Sequence, residues 1–178
     1  MMSVTHTTVG ADTVPATRSD QINLLHIYLR NHEAASAGGV QLVERCAKAN
    51  RKTALAPDLH RLATQIRAER AALQEICRTL GVKLSVVERA IAIVGATVGR
   101  LKLNGRVLRY SPLSRVIELE ALSSAVTAKL RLWQSLYRLT DSDVRLDGDA
   151  LLCHIADAKS QLEALARLHA MAVEMAFT

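Results

Sequence analysis

Four long stretches of this chain repeat an apolar residue every three or four positions, and no strand is evident between them. That spacing puts the apolar residues on one face of a helix, so each stretch needs a partner to cover it. Two pairs of helices meet the need at once, and the predicted fold class is all-α. The first helix is expected over about Ser19 to Asn50, with a stripe of Ile22, Leu25, Leu29, Ser36, Val40, Val43 and Ala47. Gly38 and Gly39 fall inside it, where they weaken the helix but admit a close neighbour. The second spans about Pro57 to Leu80, with proline in its first turn and Gly81 as its stop.

The third helix opens at Ser111-Pro112, a capping serine before a first-turn proline, and continues to about Leu139. The fourth runs to about Ala176, capped by Asp147 or Asp149. Aspartates in the loop before it are too irregular for calcium, with no glutamate at the closing position. Loops after the first and third helices are short, so each pair is predicted to be an antiparallel hairpin. Aromatic residues make up only 3% of the chain, so the core must be aliphatic. Three dispersed cysteines, Cys46, Cys77 and Cys153, argue against disulfides and zinc and are expected as small buried residues.

Residues 1–18 read as a flexible N-terminal tail without the basic start and apolar run of a signal peptide, and residues 19–178 as the bundle. No stretch is apolar for the ~18 residues a membrane span needs, and the expected location is the cytoplasm. The connection over 81–112 is too long for a turn and is predicted to hold a helix over about Ser85 to Leu101. Between Gly81 and Arg115 stand seven basic residues (Lys83, Arg89, Arg100, Lys102, Arg106, Arg109, Arg115) and one acid, Glu88. That surplus equals the +6 formal charge of the whole chain. Arg100, Lys102, Arg106 and Arg109 are therefore the expected contact surface for an anionic partner. A lipid surface suits them better than nucleic acid, because Tyr110 alone is present for base stacking. Gly95 and Gly99, spaced for a tight helix contact, point to a homo-oligomer.

Several polar residues fall on or beside the apolar stripes: His32, Glu33, Glu69, Glu118, Lys129, Gln161 and His169, with His154 on the inward side of the last helix. Buried charge is costly unless paired, so these should meet one another. With the second and third helices parallel, the helical rise puts His32 and Glu33 about 20 Å above the floor, Glu69 and Gln161 about 18 Å, and Lys129 about 15 Å. One middle layer would then receive a polar group from every helix. Glu118 and His169 would form a second pair near ~30 Å.

Two hairpins, a long crossover and carboxylates facing inward resemble the ferritin-like four-helix bundle. The runs LHIYLRNHEAASAGG (25–39), GRLKLNGRV (99–107) and SPLSRVIELEAL (111–122) look like an uncharacterised group of bacterial ferritin-like proteins. The resemblance covers about residues 19 to 177 and implies a fold rather than an activity. Di-iron members carry a Glu on the first and third helices and Glu-x-x-His on the second and fourth. Glu33, Glu69 and Glu118 match three of the carboxylates, and Asp157 could replace the fourth. Ala72 and Ser160, however, stand where the two histidines belong, and no acid in the chain has a His three residues later. Lys129 is a fixed cation near the metal positions. The reading is thus a non-catalytic bundle, without cofactor, acting as an interaction or structural module. An altered metal or oxidase-type site using Glu33, Glu69, Glu118 and His32 is the alternative. A peripheral binder of anionic lipid or nucleic acid is the second.

Overall fold

The structure is a computed structural model, and it describes residues 17–83 and 110–178. Among them every regular element is a helix: α1 (Arg18–Ala49), α2 (Ala56–Thr79), α3 (Pro112–Tyr137) and α4 (Gly148–Phe177). Each boundary has a local cause. Thr17 and Asp20 form a reciprocal capping box at the start of α1. The first residue of α1 is therefore Arg18, and the tail expected over 1–18 ends before Thr17. Residues 1–16 lie outside the described part.

Gly81, with φ +74°, closes α2 in the left-handed region that favours glycine. Its N–H donates to Arg78 O at 3.0 Å, and the Val82 N–H donates to Cys77 O at 2.8 Å, the paired closure of a Schellman turn. Ser111 caps α3 through the Ser114 N–H at 3.1 Å, and Asp147 caps α4 through the Ala150 N–H at 3.0 Å. In the same loop Asp143 accepts from Arg145 at 2.8 Å.

Side-chain pairs fix the direction of each helix. Tyr28 meets Ser135 while Asn50 meets Arg115, so α1 and α3 run antiparallel. Glu33 meets Arg70 and Glu44 meets Arg67, so α1 and α2 are antiparallel as well. Trp133 stacks on His154 while Arg115 reaches Met175, which makes α3 and α4 antiparallel. It follows that α2 and α3 are parallel. The helices pack in a ring, α1 touching α2 and α3, and α4 touching α3 and α2. Parallel elements joined in sequence require a long connection, and residues 84–109 between them lie outside the described part.

Leu29, Val43, Leu59, Leu62, Leu119, Leu122, Trp133, Leu136, Leu165 and Leu168 fill the centre with at most 1% exposure each. Two apolar residues near helix ends behave otherwise. Ile22, on the first turns of α1, is 48% exposed, and Tyr137, at the last turn of α3, is 39% exposed, because both lie where the ring of helices ends. Cys153 is exposed, whereas Cys46 and Cys77 are buried as expected. Gly39 also departs from expectation, since a Cβ added there would meet no atom within 4 Å among the described residues.

Candidate functional site: a polar layer inside the bundle

At mid-height, α2, α3 and α4 each contribute one side chain to a closed triad. The Lys129 ammonium binds a Glu69 carboxylate oxygen and the Gln161 amide oxygen. The Gln161 amide nitrogen donates to the same Glu69 oxygen at 3.1 Å. Glu69 is 4% exposed and Gln161 1%, so this polar group stands among leucines. Burial pulls the Lys129 ammonium below the usual lysine range, and Glu69, then Asp157, pull it back up. Gln161 uses its amide oxygen and one amide N–H to hold the charged pair.

Glu33 enters the same region from α1 but takes other partners. Its carboxylate accepts from Arg70 and from Gln74, each at 2.8 Å. Neither partner stands on an apolar stripe, which is why the sequence did not mark them. His32 is half-buried, its ring edge against Tyr28, and desolvation lowers its basicity. The expected layer therefore divides into a Glu69–Lys129–Gln161 triad and a Glu33–Arg70–Gln74 group.

Glu118 belongs to a second cluster nearer the start of α3. It accepts from Arg45 at 2.9 Å and from the Tyr110 hydroxyl at 3.1 Å. Burial raises its carboxyl above the usual range, against the opposing pull of Arg45. Asn50, fully buried, ties the cluster together: it donates to Cys46 O at 2.8 Å and Tyr110 Oη at 2.9 Å, and it accepts from Arg115. His169 does not join Glu118; it meets Glu120 at 3.2 Å on the surface. Glu118 and Glu120, two residues apart, face opposite sides of α3, and the expected Glu118–His169 pair fails because His169 lies on the outer side with Glu120. Arg115 also changes role. Counted with the basic crossover, it is 8% exposed and serves the interior.

The thiols beside these clusters are held protonated. Burial, then Glu118, pushes Cys46 up to about 12, and burial, then Glu33, pushes Cys77 up to about 11. Arg100, Lys102, Arg106, Arg109, Gly95 and Gly99, the expected contact surface, lie outside the described residues.

A pair of metal ions, as in di-iron ferritin-like proteins, does not fit this donor set. Glu33, Glu69 and Glu118 each carry their own cation, Arg70, Lys129 and Arg45 respectively. Among the described residues no three His, Cys, Asp or Glu side chains converge on one point. Among the same residues, no helix is long and apolar enough to cross a membrane. Comparison with known proteins returns no match, whether to family models, curated proteins or solved structures.

Proposed function

We propose that this chain is a non-catalytic ferritin-like bundle that acts as an interaction module, with the basic stretch between α2 and α3 as its contact surface. The observation that carries the reading is the Lys129–Glu69 pair at the centre. An ammonium seated on the carboxylate neutralises it without a metal, and Gln161 fills the remaining polar position. Support for ferritin-like topology comes from the ring order and from the parallel α2 and α3. Support for the contact surface comes from charge. The stretch from Gly81 to Arg115 holds the chain's whole basic surplus, and an anionic lipid surface is the partner that chemistry favours.

Two measurements test the two halves of the proposal. Anaerobic titration of the purified protein with Fe(II) should show no stoichiometric tight binding. Two tightly held irons per chain would overturn the non-catalytic reading and restore the altered metal site. Sedimentation with phosphatidylserine vesicles should show binding that falls with salt and is lost when Arg100, Lys102, Arg106 and Arg109 are all replaced by Gln. Vesicle binding that survives the fourfold change would refute this surface. Binding to DNA but not vesicles would replace the lipid partner by nucleic acid, and self-association broken by Gly95→Leu or Gly99→Leu would replace it by a second copy.

A further inference from the structure

Three buried polar atoms without a hydrogen-bond partner belong to residues that line one cavity: Glu69 Oε1, Arg70 Nε and Trp133 Nε1. The cavity, about 110 Å³, lies among α1, α2 and α3. Leu73, Leu122 and Val126 line it together with the polar His32, Ser36 and Lys129, and Gly39 leaves open space on the α1 side. Ala125 and Ala128 line it too and are exposed, which gives a route in from solvent. Buried polar atoms normally find partners, so one acceptor and two donors around a single space call for an occupant.

We infer that this cavity is a binding site for a small neutral alcohol whose hydrocarbon body is about four carbons in size. A hydroxyl is donor and acceptor at once, so one group can donate to Glu69 Oε1 and accept from Arg70 Nε or Trp133 Nε1. The hydrocarbon would cover the leucine and valine walls, which a water molecule leaves wet. An apolar cavity of roughly 150 Å³ accommodates a benzene ring, so this smaller one admits a body of about four carbons. Neutrality follows from the charges already present. Glu69 is paired with Lys129 and Arg70 with Glu33, so a charged ligand would add an uncompensated charge in a poorly solvated place.

Trp133 is the single tryptophan of the chain, so its fluorescence reports on this cavity directly. tert-Butanol, which does not absorb at the excitation wavelength, is the probe, titrated into the full-length protein at pH 7.5. The emission should change saturably, with half-saturation near roughly 1 mM for a ligand of so few atoms. Gly39→Leu, whose side chain projects into open space, should weaken binding by about tenfold or more while leaving helical circular dichroism unchanged. Ala125→Leu, at the mouth, is the second filling variant should the first fold poorly. tert-Butylamine, protonated at this pH, should bind about tenfold more weakly than the alcohol. A response that stays linear to ten times the expected midpoint would overturn the site. Unchanged affinity in both filling variants would overturn its location, and equal or tighter binding of the amine would overturn the neutral ligand class.

Discussion

Replacing Lys129 by Met removes the only cation from the central triad. The Glu69 carboxylate, 4% exposed, is then left with the Gln161 amide as its partner. Breaking a buried pair by removing one member typically costs about 3–5 kcal/mol, because the remaining charge is stranded. Lys129 keeps 17% of its side-chain exposure, so some water can reach the site, and the lower end, about 3 kcal/mol, is expected. For a chain of this length that corresponds to a fall in Tm of roughly 6–12 °C. Urea denaturation at pH 7.5 measures it as a lower midpoint at unchanged slope. The double variant Glu69→Leu with Lys129→Met should recover most of the loss, because neither member of the pair then remains charged. A Lys129→Met protein with the wild-type midpoint, or a double variant as unstable as the single, would show that Lys129 is not paired in the core.

Other substitutions probe separate parts of the bundle. Gly39→Ala should stabilise the protein by about 0.5–1 kcal/mol, read as a higher urea midpoint, because the added Cβ meets nothing and the helix gains propensity. Glu118 has a folded-state pKa raised by burial, so its protonated form is favoured in the folded protein and the associated stability is lost as pH rises through that value. Glu118→Gln removes this slope; its stability relative to wild type should therefore be more favourable at pH 7.5 than at pH 4.5, as measured by urea midpoints at the two values. Cys153 alone should react quickly with a thiol reagent in the native protein, while Cys46 and Cys77 should wait for unfolding, and absorbance kinetics will separate the two classes.

The helices were legible in the sequence because their causes are local. Apolar residues three and four apart, Pro57 and Pro112 in first turns, Ser111 as a cap and Gly81 as a stop act within a few residues, so the ends of all four helices fall within one or two positions of expectation. Glu69, Lys129 and Gln161 were also readable, because a polar residue on an apolar stripe must face the interior, and equal heights bring such residues together once α2 and α3 are parallel. What the sequence left undetermined was partnership. Arg70 and Gln74 reach Glu33 from beside the stripe of α2, and Arg45 reaches Glu118 from a partly exposed position, since long side chains can extend their charged ends well away from the backbone. Arg115, adjacent to the basic crossover in sequence, is turned inward by Asn50, sixty-five residues away, and only packing of α1 against α3 brings those two together. The cavity was likewise decided by tertiary structure. Small residues on a helix are equally compatible with a tight contact and with open space, and the neighbouring helices' actual separation at Gly39 settles which one is formed.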